Sequence, residues 1–168
     1  MIELRPFSNS DIYSIVKYAN NKNVAACLRE IFPSPYTNAD AKWWIEQGQF
    51  EIRRGYNLAI VYRSECIGSI GVGVIEGYAE DTVEMGYWLG EPYWNRGFAT
   101  TAIKLMTAKV FAEFNLKQII ATVAGPNKGS MKALEKNGFQ CIEIRKNAIR
   151  VRAGLFDEHI YVKIGVSQ

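Results

Sequence analysis

The fold of this chain is decided by one stretch of its sequence, Gly90-Glu91-Pro92-Tyr93-Trp94-Asn95-Arg96-Gly97-Phe98-Ala99-Thr100-Thr101-Ala102. It lies between an apolar run typical of a strand, residues 83–89, and a run with helical periodicity, residues 99–114. A turn that opens directly into a helix gathers unpaired N–H groups at the positive end of the helix dipole, which favours an anion. The stretch is neither a Walker loop nor a Gly-x-Gly-x-x-Gly motif. An ordinary strand-to-helix turn is the alternative interpretation.

The bulk composition indicates one globular domain, residues 1–168. The chain is 48% hydrophobic and 22% charged, and 168 residues suffice to bury a core. A net charge of +3 is too small to indicate nucleic acid, and the sequence has no run of about 18 apolar residues that would span a membrane. The N-terminal residues lack the features of a signal peptide, so we expect a cytoplasmic protein with neither nucleic acid nor membrane as a partner.

The cysteines do not indicate a metal site or a disulfide framework. Cys27, Cys66 and Cys141 are widely spaced, form no Cys-x-x-Cys pair, and are accompanied by one histidine in the whole chain. A zinc site needs more nitrogen and sulfur ligands than these comfortably supply, so we expect no metal. We interpret the three cysteines as reduced and mostly buried thiols.

The order of elements predicts a mixed α/β domain around one sheet. We predict a strand at 2–7, then helices from Ser8 or Ser10, at 23–30 and from Thr37, where Asp40 forms a near capping box. Strands follow at 58–62, 66–75 and 83–89, the first two joined by a hairpin at 63–65. After the helix at 99–114 we predict a strand at 119–123, a helix at 130–137 and two or three strands within 139–164.

A second informative segment follows the predicted strand 119–123. Residues 124–139, AGPNKGSMKALEKNGF, run from a loop with Asn127 into a helix from Ser130 and leave through Gly138. An asparagine carboxamide at a strand end can hydrogen-bond an amide-bearing ligand that lies along the strand. The alternative is that Asn127 only makes a turn before a helix capped by Ser130.

Together the two segments resemble the GNAT acetyltransferase superfamily, and within it the branch that acetylates the N-terminal alanine of ribosomal proteins. Residues 93–100, YWNRGFAT, are similar to the branch pattern Tyr-Trp-Gly-Arg/Lys-Gly-Tyr-Ala-Thr. Residues 84–89, EMGYWL, resemble its fourth strand, and residues 127–139 resemble its second cofactor element. The resemblance covers nearly the whole chain. It implies an α/β (α+β) fold with a central mixed, mostly antiparallel sheet of about seven strands, splayed between strands 4 and 5 and flanked by helices.

The resemblance implies acetyl-CoA as the cosubstrate. The N–H groups of residues 95–100 would cradle the pyrophosphate, and Gly97 would let the backbone approach it closely. Arg96 would add a charge-assisted contact, or is merely solvated. The pantetheine arm would pair with the strand edge at 88–90 while Asn127 faces it. The implied cofactor-binding residues are Trp88, Leu89, Gly90, Asn95, Arg96, Gly97, Phe98, Ala99, Thr100, Asn127 and Ser130.

The implied reaction is direct attack of a free amine on the acetyl thioester. A backbone N–H near Leu89 or Gly90 is the implied donor to the tetrahedral oxyanion, and loss of such a donor typically costs about 3 kcal/mol. In many superfamily members the general acid is a tyrosine seven residues after the asparagine. In this sequence that position is Leu134. The resemblance therefore implies Ser130 as the acid, although this residue also suits a helix cap.

Glu84 is the expected general base, because the family often keeps an acidic residue at the start of this strand; a solvated strand-end carboxylate is the alternative. His159 is interpreted as a packed structural residue in a C-terminal strand. At a pH of about 7.5, an α-amine of pKa about 8 costs only ~0.7 kcal/mol to deprotonate, whereas a lysine amine costs about 4 kcal/mol. The lack of an obvious strong base favours acceptors with an α-amine or another amine of low pKa.

The acceptor site is expected where Phe32, Tyr36 and Trp43 occur, although plain packing also explains these aromatic residues. The carboxylates that would attract a cationic amine in this region are Glu30, Asp40 and Glu46. We expect a protein or peptide N-terminal α-amine as the acceptor, and a monomer or homodimer.

Two other functions remain open. A polyamine or antibiotic amine is a possible acceptor, but polyamine sites should need several carboxylates and residues 76–81 offer only a modest cluster. A non-catalytic acetyl-CoA-binding module is suggested by the missing tyrosine at Leu134.

Overall fold

The computed structural model describes residues 1–46 and 55–165. Its elements are β1 (Ile2–Arg5), α1 (Ile12–Ala19), α2 (Lys22–Ala26), α3 (Asn38–Glu46), β2 (Tyr56–Tyr62), β3 (Glu65–Val74), β4 (Thr82–Leu89), α4 (Phe98–Glu113), β5 (Gln118–Ala124), α5 (Lys128–Glu135), β6 (Gln140–Val151) and β7 (Gly154–Ile164). Short 3₁₀ turns at Asn9–Asp11 and Glu91–Tyr93 precede α1 and α4. Within these residues, no helix is long and apolar enough to cross a membrane.

Seven strands form one sheet in the order β1-β2-β3-β4-β5-β7-β6. All neighbouring strands are antiparallel except β4 and β5, which run parallel. This parallel contact covers only three residue pairs, from Thr82–Gln118 to Glu84–Ile120, and the strands then separate. The prediction of a mixed, mostly antiparallel sheet splayed between its fourth and fifth strands is therefore confirmed.

Helices cover both faces of the sheet. On one face α4 packs on β1 and β3 and buries Ile103, Met106 and Val110, all completely inaccessible to solvent, in the main core. On the other face α1 and α3 bury Ile15 and Ala41 against β2. Because both faces are covered, the sheet has apolar side chains on both sides, and the site must form where two strands part.

Several element boundaries follow from local hydrogen bonds. The capping box before α3 is present: Thr37 N donates to Asp40 Oδ2 at 2.7 Å, and Asp40 N donates to Thr37 Oγ1 at 3.2 Å. The hairpin between β2 and β3 turns at Arg63 and Ser64, both with positive φ. The final segment forms two long strands, β6 and β7.

Two predictions from the sequence are wrong: the end of the second helix and the burial of the cysteines. The predicted helix at 23–30 ends at Ala26, because the β6–β7 turn binds the chain beyond it: Arg152 N donates to Leu28 O, and Ala153 N donates to Ala26 O. The cysteines are not mostly buried. Cys66, in β3, is buried. Cys27 is exposed because it lies in the loop after α2, and Cys141 is exposed because it lies on the outer strand β6.

Candidate active site

The separation of β4 from β5 leaves one side of β4 without a strand partner. Beyond Glu84, β4 pairs with β3 alone, and β5 pairs with β7 alone. Gly90 N donates to Ile67 O at 2.8 Å, and alternate residues of an antiparallel strand direct their N–H groups to opposite sides. The Leu89 N–H therefore faces the gap between β4 and β5.

Gly90 has a structural role at the end of β4. Its N–H is bonded to Ile67 O, and its carbonyl accepts a hydrogen bond from Tyr93 N at 2.9 Å. A Cβ at this position would lie 2.9 Å from the Tyr18 ring, closer than real contacts allow. Close packing against Tyr18 thus explains the glycine. Of the two candidate oxyanion donors, Leu89 is the one whose N–H is directed into the gap.

The turn before α4 exposes a cluster of backbone N–H groups. Gly97 is the N-cap residue with φ of 79°, and Asn95 also has a positive φ, 58°. The first backbone hydrogen bond of the helix runs from Thr101 N to Gly97 O, so the N–H groups of residues 98–100 precede the helical ladder. No side chain caps them. This is the geometry of an anion site at a helix N-terminus.

Two side chains fix this turn against the sheet. Trp94 Nε1 donates to Leu89 O at 2.7 Å, which ties the turn to the end of β4. The Arg96 guanidinium lies over the Phe98 ring at 4.9 Å and near the rings of Tyr62 and Tyr93. Arg96 therefore holds the turn through cation–π contacts, and the backbone of this segment supplies the anion-binding groups.

A cavity of about 720 Å³ occupies the gap between β4 and β5. It brings together seven of the fifteen site residues predicted from the sequence, although these come from distant parts of the chain. The predicted residues that line it are Phe32, Tyr36, Trp43, Glu84, Trp88, Asn127 and Ser130. Leu89, Gly90 and residues 95–100 are not among its lining; they form the end of β4, the turn after it and the start of α4.

The lining of the cavity includes a cluster of aromatic side chains and a half-buried carboxylate, that of Glu84. Phe32 packs against Tyr36 and Trp88 with ring centroids 5.1 and 5.8 Å apart. Glu84 accepts a hydrogen bond from Thr122 Oγ1 at 2.9 Å, which orients its carboxylate across the gap from β5.

The other carboxylate of the lining is Asp40, whose Oδ2 is occupied by the capping box of α3. Glu30 and Glu46, also predicted to attract an amine, do not line the cavity, and Glu46 pairs with Lys42. Glu84 is therefore the carboxylate best placed to meet an amine in this cavity.

The loop at residues 27–36 forms the outer wall of the cavity and is held by the turn between β6 and β7. Besides the backbone bonds described above, Arg152 Nη2 donates to Phe32 O at 2.7 Å and to Glu30 O at 3.2 Å. Ile149 and Val151 of β6 complete this wall. The aromatic side of the cavity is thus positioned by a residue about 120 positions away, which sequence reasoning missed.

The structure corrects the prediction that Ser130 caps α5. The helix begins at Lys128, and the cap is Asn127, whose Oδ1 accepts a hydrogen bond from Ser130 N at 3.2 Å. Within the described residues, no protein partner of the Asn127 Nδ2 group is found, so this group is available to a ligand. The Ser130 hydroxyl is turned instead toward β4.

The partner of Ser130 is Tyr87, which the sequence analysis did not single out. Its hydroxyl shares a hydrogen bond of 2.6 Å with Ser130 Oγ, and both side chains line the cavity. Burial raises the pKa of the Tyr87 phenol, although the hydrogen bond that it shares with Ser130 opposes this. The available signal was the alternation along β4, which puts Tyr87 on the same face as the buried Met85 and Leu89, where a polar hydroxyl needs a partner.

Leu134 and His159 lie away from the chemistry. Leu134 is completely buried in the core between α5 and the sheet, although one side of it reaches the cavity wall. His159 pairs with Val123 and Ile144 in the sheet and does not line the cavity. Among the described residues, no group of three or more His, Cys, Asp and Glu side chains is arranged to hold a metal ion.

Comparison with known proteins agrees with this geometry. A family model described as the acetyltransferase (GNAT) domain matches residues 2–140. The uncharacterized N-acetyltransferase YnaD of Bacillus subtilis (strain 168) is 28% identical over 160 residues, 94% of this chain and 90% of that protein.

Two solved structures share the fold. Ribosomal-protein-S5-alanine acetyltransferase from Vibrio fischeri has a TM-score of 0.78 at 20% identity, over 98% of this chain and 93% of that one. Spermidine N-acetyltransferase from Vibrio cholerae, in complex with CoA and spermine, has a TM-score of 0.78 at 18% identity, over 98% and 95% of the two chains. With the family model matching most of its length, this chain belongs to the GNAT acetyltransferase family and is an acetyl-CoA-dependent N-acetyltransferase.

Proposed function

We propose that this enzyme transfers the acetyl group to the α-amine of a peptide or protein N-terminus. The observation that carries this proposal is the lining of the cavity, in which Glu84 is the carboxylate not engaged in a helix cap and aromatic side chains form part of the wall. A peptide N-terminus presents one positive charge next to an apolar or small side chain, which matches this arrangement. A polyamine carries several charges, and each would need its own carboxylate.

The backbone at the end of β4 and the start of α4 fits the cosubstrate. Coenzyme A has a pyrophosphate, and the N–H groups of Phe98, Ala99 and Thr100 lie before the helical ladder at the positive end of α4. It also has an extended arm with two amides, which can lie along the edge of β4 that faces the gap. When bound, it supplies an acetyl thioester and a thiolate leaving group.

The residues of the gap divide the remaining tasks. Glu84, held by Thr122, accepts the proton of the incoming ammonium group and passes it to solvent. The Leu89 N–H is directed to the gap and would stabilise the developing oxyanion. Asn127 orients the amide-bearing arm through its Nδ2 group, while the Ser130 hydroxyl lies on the same side of the gap. Phe32, Tyr36 and Trp43 enclose the side chain that follows the amine.

An acceptor panel tests this proposal. Release of free CoA thiol would be measured with peptides that begin with different residues, with the same peptides blocked at the N-terminus, and with spermidine and an aminoglycoside. We expect turnover with free N-termini and loss of turnover, by at least about 10²-fold, when the α-amine is blocked. A higher kcat/KM for spermidine or the aminoglycoside than for every peptide would overturn the assignment.

Peptides with an internal lysine and a blocked N-terminus provide the matched control. Their amine is as accessible as the α-amine but has a pKa about 2.4 units higher, so less of it is neutral at neutral pH. We expect the rate with lysine to rise steeply between pH 7 and 9, while the rate with the α-amine levels off near pH 8.

A further inference from the structure

We propose that Tyr87 supplies the proton that converts the departing thiolate of CoA into a thiol, with the hydroxyl of Ser130 as the connecting group. The proposal rests on the placement of the thioester in the gap between β4 and β5. It assigns a role to a side chain that no motif of the sequence identifies, and it explains how the reaction proceeds with Leu134 at the position of the usual tyrosine.

The geometry puts the two hydroxyls on opposite sides of the gap. Tyr87 comes from β4, which carries the unpaired edge, and Ser130 comes from the first turn of α5, directly after β5. Their hydrogen bond of 2.6 Å bridges the point where the strands have parted, and both side chains line the cavity. A sulfur atom that leaves a thioester in this gap therefore meets a hydroxyl that is already hydrogen-bonded to a second one.

A phenol suits this task better than an alkyl alcohol. The reference pKa values of tyrosine and of a thiol are about 10 and 8.5, so transfer from phenol to thiolate is uphill by about 30-fold in water, and burial of Tyr87 adds to this. Serine alone is a much weaker acid and could not release its proton without receiving another. With Tyr87 behind it, Ser130 gives its proton to sulfur while it accepts the proton of Tyr87.

The proton balance of the whole turnover closes. The Tyr87 O–H bond breaks and the S–H bond of CoA forms, which leaves a phenolate at Tyr87. The amine nitrogen loses one proton as the amide forms, and a proton from solvent restores Tyr87. The sum is one amine and one thioester converted to one amide and one thiol, with no oxidation or reduction.

The surroundings of Tyr87 keep its proton in place before the reaction. Its side chain is on the opposite face of β4 from Glu84, since alternate residues of a strand point to opposite faces. The neighbouring strand β3 places Ile70 opposite Tyr87. Burial raises the pKa of Tyr87, so the phenol is neutral at physiological pH.

The first test is the variant Tyr87→Phe, which removes the hydroxyl and keeps the ring. We expect kcat to fall by about 10²-fold while the Kd for CoA, measured by calorimetry, changes by less than twofold. Ser130→Ala should lower kcat similarly, and the double variant should be no worse than either single variant, since the two hydroxyls act as a unit. The matched control is Tyr56→Phe, because the Tyr56 hydroxyl is also hydrogen-bonded, to Glu113, but lies outside the cavity.

A second test keeps the hydroxyl and changes its acidity. Fluorotyrosine placed only at position 87 lowers the phenol pKa, so the alkaline fall of kcat should move to lower pH, whereas fluorotyrosine at position 56 should leave it unmoved. The fluorine NMR signal of position 87 should also shift when CoA saturates the enzyme. If CoA leaves that signal unmoved, the placement of the thioester is wrong. If CoA moves it but Tyr87→Phe retains kcat within twofold, or loses CoA affinity as much as kcat, the role of Tyr87 as proton donor is wrong.

Discussion

The variant Gly97→Ala should have two separate effects: a lower stability of the free protein and a weaker affinity for CoA. Gly97 has φ of 79°, and a Cβ built there meets no atom within 4 Å. The cost to the free protein is therefore the left-handed conformation alone, roughly 1–2 kcal/mol. For a protein of this length, this corresponds to a fall in melting temperature of about 2–8 °C.

Binding should suffer a separate loss, because the new methyl group takes up open space at the N-terminus of α4, where we place the pyrophosphate. We expect the Kd for CoA to rise at least tenfold, equivalent to about 1.4 kcal/mol. Isothermal titration calorimetry measures this directly, and a thermal melt of the same sample without ligand gives the stability cost.

The chain offers a matched control for this experiment. Gly77, in the exposed turn between β3 and β4, has φ of 86° and no atom within 4 Å of a built Cβ. Gly77→Ala should therefore lower the melting temperature by a similar amount and leave the Kd for CoA within twofold of the wild type.

A third variant, Gly97→Asn, removes most of the strain, since asparagine tolerates positive φ, but still fills the space. Its stability should stay near that of the wild type while its affinity for CoA falls. If Gly97→Ala and Gly97→Asn both bind CoA as the wild type does, the anion is not held at this turn, and the argument from the N–H cluster is refuted.

The remaining predictions concern the cavity and the fold. Arg152→Ala should raise KM for the acceptor about fivefold, equivalent to about 1 kcal/mol, and leave KM for acetyl-CoA unchanged; Arg150→Ala, at the end of β6 just before this turn, is the control, and equal effects of both variants would contradict the argument. Glu84→Gln should lower kcat/KM for the acceptor by about 10²-fold with the Kd for CoA unchanged; retained activity would exclude Glu84 as the base. Asp11 is buried, which favours its neutral form, but hydrogen bonds from Arg5 and from a backbone N–H prevail and lower its pKa. Its stabilisation is therefore complete above pH about 4 and lost as pH falls further, so urea unfolding of Asp11→Asn should differ from the wild type at pH 6, by roughly 1–3 kcal/mol, and converge with it near pH 2.

Much of the fold could be predicted from the sequence, because its signals are local. Two examples are the near capping box of Thr37 and Asp40 and the glycine before α4. Each reflects a backbone conformation or hydrogen bond that involves only a few neighbouring residues. The fold-wide splay also followed, but from the resemblance of 84–100 and 127–139 to a known family rather than from periodicity. Helix boundaries were harder to predict. The second helix ends early because the distant β6–β7 turn donates hydrogen bonds to the carbonyl groups of Ala26 and Leu28, and no local pattern shows this.

The candidate site was predictable in part, and there is a physical reason why some of its residues were predicted and others were missed. Residues that contact a cosubstrate through the backbone leave a motif, because glycine and turn residues must occur at fixed spacing, and residues 93–100 are such a case. Residues that act through tertiary contacts leave none. Tyr87 and Ser130 are 43 positions apart, and Arg152 and Phe32 are 120 apart, so neither pair could be recognised before the chain was folded.

The interpretation of Ser130 shows what this difference means for the chemistry. From the sequence, its hydroxyl had two candidate uses, the acid of the reaction and the cap of α5, which did not exclude each other. The structure removes the second use, because Asn127 caps the helix and Ser130 contributes only its N–H to that cap. Its hydroxyl is thereby released to meet Tyr87 across the gap. The proton that a serine alone could not release has a source in a phenol on the opposite strand, so the absence of the usual tyrosine from α5 does not leave the thiolate without a donor.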